Sequence, residues 1–503
     1  MSQSVGVPFQ NIPAGFIPPL FYVEFNNQLA GVQGNTQQPA LLIGQMQASG
    51  TATAGVPVYI ASQSAAMNLF GKNSQLARMC ATYFNSDPVG PLYALPLADA
   101  AGSAAATGTF TITGPATAAG TFYAAVGRFT VPVGVSVGDT ATVIAANIAA
   151  AINALVLIPV TAAAVAGVVT FTAVNKGLQG NNINLAINPL GPVAGQVLPA
   201  GVGVTIAAMA GGATDADLGT VAASIGDQQF DFIGHPYGET AQMGEMTTAM
   251  NDTTGRWAWN RQDYGHVWTA TPGTISSLLT YGGTLNDQHA DCLGIIGYLA
   301  DPVDFVADWM GAAAVSLRNL PSQPLQSLKL STVTAAPRAN WLTLAQENTL
   351  YAAGIALPRS DSYGNVTVGQ DVTTYKTNAF GQPDASYRYP TTLFTLMAIT
   401  RQIKSALVTK FGRSLLVPDG TRAGQNVPVV SPVVALAEII AQYHIMEANG
   451  LVVNAAAMAQ ATTVAINATN PNRLDIVWRP ELANGLSMMA MINQFILNPA
   501  QAV

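Results

Sequence analysis

Hydrophobic and polar residues alternate in the stretch "FIPPLFYVEFNNQLAG", Phe16 to Gly31. Phe21, Val23 and Phe25 fall on one face; Tyr22, Glu24 and Asn26 fall on the other. That period of two predicts a half-buried β-strand. Pro18 and Pro19 keep it from extending backward into a central strand. A second strand-like run, "LSMMAMINQFIL" from Leu486 to Leu497, stands alone at the other end of the chain. A lone strand cannot satisfy its own backbone N–H and C=O groups, so each needs a ladder partner.

Between these runs the pattern predicts alternating strands and helices. "ALLIGQM" (Ala40 to Met46) and "PLYALPL" (Pro91 to Leu97) read as buried strands. "SQSAAMNLFGKNSQLARMCATYFNSDP" reads as two short helices split at Gly71, with Ser74 capping the second. After "GGATDADLG", where Thr214 or Asp215 is the expected cap, a helix runs to Gly226. The strands "QFDFIGH", "YGHVWTA" and "CLGIIGYLA" follow. Asp301 before Pro302 marks another helix start. Further on, Thr391 is the expected cap of "TLFTLMAITRQIKSALVTKF", with Leu393, Leu396, Met397, Ile403 and Leu407 on one stripe. Ser431-Pro432 opens the next helix, which Gly450 closes, and "RLDIVW" (Arg473 to Trp478) reads as a strand.

The texture changes near Asp99. From Ser103 to Met209 the only charged residues are Arg128, Asp139 and Lys176. The pieces "GTFTITG", "GTFYAAVG", "GRFTVPV" and "GVVTFTAV" are strand-like. One helix, Asp139 to Asn153, places Val143, Ile144, Ile148 and Ile152 on one face with Asp139 at its cap. A mostly-β insert in a loop of a discontinuous α/β domain is therefore expected. The run Ala145 to Val174 is apolar, but Asn147, Asn153, Pro159 and Gly167 interrupt it. It reads as helix, turn and strand rather than a membrane span.

Composition narrows the function. Half of the 503 residues are hydrophobic and 9% are charged, against about 25% in ordinary soluble proteins. So little charge protects poorly against self-association, which makes association a candidate role. The net charge is −7 and no Lys/Arg cluster exists, which argues against nucleic acid or anionic lipid as the main partner. "MSQSVGVPFQNIPAG" does not read as a signal peptide. Cys80 and Cys292 are expected to be buried free thiols.

Motifs for chemistry are sparse. Asp287, His289 and Asp291 in "DQHAD" have alternate spacing that could ligate a metal, but read better as a loop entering a buried strand. Asp301 and Asp304 read as a helix start rather than an acid/base pair. "RWAWNRQDYGHVW" could bind a sugar or a base, but reads as a packed corner. The Gly-rich loops lack the phosphate-binding fingerprints. The sequon at Asn467 matters only in a secreted eukaryotic protein. No catalytic residue, metal or cofactor is expected.

The ordering of many stretches resembles the tail sheath protein of Mu-type contractile bacteriophages. These include "IPAGFIPPLFYVEFNN", "PALLIGQ", "NLFGKNSQLARM", "AGGATDADL", "FDFIGHPY", "DVTTYKTNAFGQPDASY", "VVSPVVALAEIIAQYHIMEANGLVVN" and "RLDIVWRPELANGLSMMAMINQFIL". Nearly the full length is covered, with no single decisive motif. The Pro-Pro-Leu-Phe in the opening replaces an expected Pro-Gly turn.

The resemblance implies an α/β (α+β) multidomain fold: an N-terminal arm and linker (1–38), an α/β sheath domain (39–98 plus 210–355), an inserted mostly-β outer domain (99–209), a C-terminal inner domain (356–485) and a C-terminal arm strand (486–503). It implies a structural, non-enzymatic subunit of helically stacked six-fold rings around a tail tube, triggered through the baseplate and bounded by a tail terminator. The rings would contract to drive the tube through the host envelope, with no direct membrane insertion. The virion tail would be assembled in the bacterial host cytoplasm. Strand exchange between neighbours would use Phe21, Tyr22, Val23, Glu24 and Phe25 at one end and Met489, Met491, Ile492, Phe495, Ile496 and Leu497 at the other. Lys404, Lys410 and Arg413 are candidates for facing the tube. Two alternatives are weighed beside it. One is a surface or adhesin-type binding protein presenting the β insert; the other is an α/β enzyme with an accessory β domain.

Overall fold

The computed structural model describes residues 38–424 and 426–495. In chain order, the first α/β unit holds β1 (Ala40–Gln45), β2 (Val58–Ile60), α1 (Gln63–Phe70), α2 (Gln75–Ser86) and β3 (Leu92–Leu97). The insert follows: β4 (Thr107–Thr113), β5 (Gly120–Val126), β6 (Phe129–Val135), α3 (Ala141–Asn153), β7 (Val160–Val165), β8 (Val168–Ala173), β9 (Leu185–Ile187) and β10 (Gly203–Ala210). The α/β pattern then resumes with α4 (Val221–Ile225), β11 (Phe232–Gly234), α5 (Thr240–Met250), β12 (His266–Pro272), α6 (Ile275–Thr284) and β13 (Ala290–Ile295). It continues with α7 (Pro302–Asn319), β14 (Lys329–Leu330), α8 (Leu344–Ala352), β15 (Ile355–Ser360) and β16 (Val366–Gln370). The C-terminal part holds α9 (Pro390–Phe411), β17 (Leu415–Leu416), β18 (Val429–Val430), α10 (Pro432–Ala448), β19 (Val452–Val453), α11 (Ala455–Ala461), β20 (Thr463–Ile466), β21 (Leu474–Val477) and β22 (Glu481–Leu482).

The fold is mixed α/β around one nine-stranded sheet of order β14-β16-β15-β13-β12-β11-β1-β3-β2. Its six middle strands are parallel, and antiparallel strands close both edges. Parallel strands need helical crossovers, which cover both faces. β1 shows the consequence: every residue is buried. Leu42 faces a core built with α1, α2 and α7, and Leu41 and Ile43 face one built with α4, α5, α6 and α8.

The insert packs a four-stranded antiparallel sheet (β10-β4-β8-β7) and a three-stranded one (β6-β5-β9) together with α3 around a separate core. Ile144, Ile148 and Ile152 point into that core, while Val143 is exposed. The cap of α3 is Thr140 rather than Asp139. Asp139 Oδ2 is already occupied, accepting from Ser136 N at 2.7 Å.

Three further expectations are corrected. Helix α4 begins at Val221 rather than beside Thr214 or Asp215, because Thr214 is left-handed at φ 62 and the Asp215 carboxylate accepts from Gln179 Nε2 at 3.0 Å. Helix α9 opens at Tyr389-Pro390 rather than at Thr391, since Pro supplies a preset φ and no N–H at the first helical position. The boundary expected at 355/356 falls inside the large sheet. β15 pairs parallel with β13, and β16 pairs with β15, so both strands beyond that point complete the sheet's edge.

Candidate functional site

Helix α9 joins two cores. Its N-terminal half sends Phe394 and Met397 into the core of the large sheet. From Ile399 onward it faces a smaller core with Ile439, Tyr443 and Met446 of α10, Val452 and Met458. Arg401 fixes the junction. Its Nη1 and Nη2 donate to Asp231 Oδ2 and Oδ1 at 2.5 and 3.1 Å, and Asp231 is fully buried just ahead of β11. A bidentate guanidinium–carboxylate pair sets both distance and orientation. Beside it, His266 Nε2 lies 3.0 Å from Asp291 Oδ1, both fully buried. Burial pushes His266 down to about 3 and raises the Asp291 and Asp371 carboxyls. Burial thus disfavours charge in the seat beneath Phe394, where Asp371 Oδ2 accepts from Trp309 Nε1 at 2.9 Å.

Beyond α9 the C-terminal part is built from three two-stranded sheets, β17-β18, β19-β22 and β20-β21. A pair of strands alone is marginal in water, and its outer edges offer unpaired donors and acceptors to another strand. Large apolar side chains are exposed on the same part: Val408, Leu415, Val433, Ile445, Ile476 and Val477. The chain leaves β22 and runs out as an extended apolar segment. There Met489 is 84%, Met491 88%, Ile492 86% and Phe495 76% exposed. The strand expected from Leu486 is not formed over residues 486–495. Strand geometry is held only by a ladder with a neighbour. Phe21, Tyr22, Val23, Glu24, Phe25, Ile496 and Leu497 lie outside the described residues.

The three basic candidates share the last half of α9 and its end. Lys404 Nζ donates to Gln262 Oε1 at 2.7 Å, Lys410 pairs with Glu438 of α10, and Arg413 is exposed.

The other sequence candidates settle into structural roles. Asp301 caps α7, accepting from Asp304 N at 3.3 Å. Asp301 and Asp304 also meet Arg78, at 2.6 and 3.5 Å. His289 Nδ1 lies 3.0 Å from Asp287 Oδ1, and its Nε2 lies 3.2 Å from Asp252 Oδ1, while Asp291 turns away to His266. The tryptophan-rich corner packs Trp257 against Tyr264 and His289. Buried Arg256 donates to Gly226 O and Gln228 O, but Trp259 is exposed. Cys80 and Cys292 are free and buried. No helix among the described residues is long and apolar enough to cross a membrane. Sequence reasoning missed the Arg401–Asp231 pair; an arginine between Met397 and Ile403 of the apolar stripe was its only local signal.

Comparison with known proteins gives this arrangement a context. Residues 211–374 match the model of the phage tail sheath protein central domain. The Mu-like prophage FluMu tail sheath protein of Haemophilus influenzae is 31% identical over 495 residues, spanning 98% of this chain and all of the relative. Among solved structures, a sheath tail protein of Listeria innocua aligns with 89% of this chain and 92% of its own, at 12% identity and a TM-score of 0.48. The helical sheath of the anti-feeding prophage in its contracted state aligns with 96% of this chain and 100% of its own, at 12% identity and 0.48. By its full-length relationship to the prophage protein, the chain belongs to the phage tail sheath protein family and is a structural component of a phage tail.

Proposed function

We propose that the chain polymerises as helically stacked six-fold rings around a tail tube, and that the sheath contracts to drive the tube through the host envelope. The observation that carries this reading is the C-terminal part. It offers open edges of two-stranded sheets beside an exposed apolar segment leaving β22. Neither has a further strand partner among the described residues, and each is what the other needs. Main-chain hydrogen bonds of an added strand give affinity, and alternate side chains give register. In this reading Met489, Met491, Ile492, Phe495, Ile496 and Leu497 of one subunit, and Phe21 to Phe25 of another, complete a neighbour's small sheets.

Such links hold subunits together while the bodies rotate past one another. Pro18-Pro19 and the polar run from Gly31 to Gln38 are the proposed pivots. The energy of contraction lies in the rearranged faces, and a few kcal/mol per subunit suffices to bias a two-state switch. Lys404, Lys410 and Arg413 place positive charge on one stretch of α9, which the reading turns toward the tube. Baseplate and terminator proteins bound the stack, and assembly takes place in the host cytoplasm.

Electron microscopy of the purified protein tests the reading. Hollow striated tubes are expected; a monodisperse monomer at all concentrations overturns it. Deleting 1–30, or separately 486–503, should abolish tubes while circular dichroism and thermal unfolding stay close to those of the full chain. Tubes that persist in either deletion remove that arm from the scheme.

A further inference from the structure

From Ser103 to Met209 the insert carries a single arginine, Arg128. It sits in the β5–β6 turn and reaches out of its own domain. Arg128 Nε lies 3.1 Å from Asp304 Oδ1 at the start of α7, with Asp304 fully buried. Its N–H does not aim at that oxygen, so the attraction is between charges rather than a directed hydrogen bond. Asp304 and Asp301 already share Arg78 of α2. The central domain thus supplies two buried carboxylates and one buried guanidinium, and the insert supplies the second guanidinium. A buried charge left without its counter-charge is strongly destabilising.

Elsewhere the seam is held by hydrogen bonds, including one from Gln179 Nε2 to the Asp215 carboxylate at 3.0 Å. Gln45 Nε2 donates to Lys176 O at 2.7 Å, Leu157 N donates to Asn73 Oδ1 at 2.9 Å, and Asn184 Nδ2 donates to Tyr298 O at 3.1 Å. Past Asn184 the seam opens into a cleft of about 1190 Å³, faced by Tyr123 and Leu190 of the insert and by Tyr298 and Trp341 of the central domain. At the other end the two connecting segments turn at Gly102 (φ 75) and Gly211 (φ 84), with open space where a Cβ would stand. Both glycines hold left-handed backbone that other residues adopt at a cost.

We infer that Arg128 is an ionic latch: by completing the charge balance of the Arg78–Asp301–Asp304 cluster it fixes the insert's orientation on the central domain and holds the cleft open. The insert is then not a pendant module turning freely on two glycine linkers. Its lone arginine ties it to the first turn of α7, and α7 runs the length of the large sheet's core.

The test uses the full chain with nitroxide labels on cysteines introduced at Val193 and Ser362, exposed residues that line the cleft from its two sides, since Cys80 and Cys292 are buried. Wild type should give one narrow distance. In Arg128→Gln the distribution should broaden, and amide exchange in the linkers around Gly102 and Gly211 should quicken by about tenfold or more. An unchanged distance and unchanged linker exchange in a folded R128Q protein overturn the latch. Should R128Q fail to fold, R128Q/D304N removes the counter-charge too. It should fold with a broadened distance. If it keeps the narrow distance, or is no better folded than the single variant, the charge-balance account fails.

Discussion

His289 is held by two carboxylates, Asp287 and the more exposed Asp252, while its ring tilts against Trp257. Burial disfavours its charged form, but the pairings with Asp252 and Asp287 outweigh burial and raise it from 6.5 to about 8. A raised value in the folded state means the folded chain holds the proton more tightly than the unfolded one. The stabilisation is complete below about pH 6.5 and is lost as pH rises through about 8. Between pH 6 and 9 that loss should be about 2 kcal/mol. His289→Gln should flatten this part of the stability profile, measured by urea unfolding at several pH values. A wild-type profile no steeper than that of the variant shows the pairings to be worth little. This histidine lay in the one stretch with metal-like spacing. The structure gives its two ring nitrogens to two aspartates and sends Asp291 elsewhere, a division that alternate spacing cannot reveal.

At the scale of elements, α9 is one rod shared by two cores. Ile399 is fully buried where it enters the smaller core, and Val408 is exposed on the same helix. Ile399→Ala should cost about 2–5 kcal/mol, with hydrogen exchange quickening in both α9 and α10. Val408→Ala should stay within about 0.5 kcal/mol. Equal effects would mean that α9 does not carry the smaller core. The stripe that defines this helix was legible in the sequence, as were the parallel strands, because apolar periodicity and burial have the same cause. Helix α5 was not read, although Met243, Met246 and Met250 recur at helical spacing and are all buried. Strand β10 escaped because its Ala- and Gly-rich run is mostly exposed and so shows no alternation. The residues of β15 and β16 were placed past a domain boundary because long-range pairing leaves no local mark. The expected terminal strand from Leu486 is not formed over residues 486–495. The reading of the assembly face rests on that same point: an apolar segment becomes a strand only when an edge is there to receive it.

At the scale of the molecule, the scarcity of charge gains a pattern. With 9% charged residues, two arginines are placed at joints between parts: Arg128 on Asp304 and Arg401 on Asp231. The outer surface is correspondingly poor in charge, which suits a chain that buries its faces against copies of itself. Arg401 carries the most consequence, because it sets how the C-terminal part with its open edges is presented by the large sheet. Its partner Asp231 is fully buried while the Arg401 side chain keeps 19% exposure. Losing the arginine therefore strands a carboxylate that water does not reach. Arg401→Ala should cost about 3–5 kcal/mol. The cycle with Asp231→Ala should return a coupling of about 3 kcal/mol, since removing both groups leaves neither uncompensated. Measured by denaturant unfolding, a coupling below about 0.5 kcal/mol would place the pair with ordinary surface ion pairs. The same variants separate folding from assembly. If the pair orients the assembly face, the double variant should regain most of its stability and still form tubes poorly, because charge balance is restored while the bidentate constraint on α9 is not.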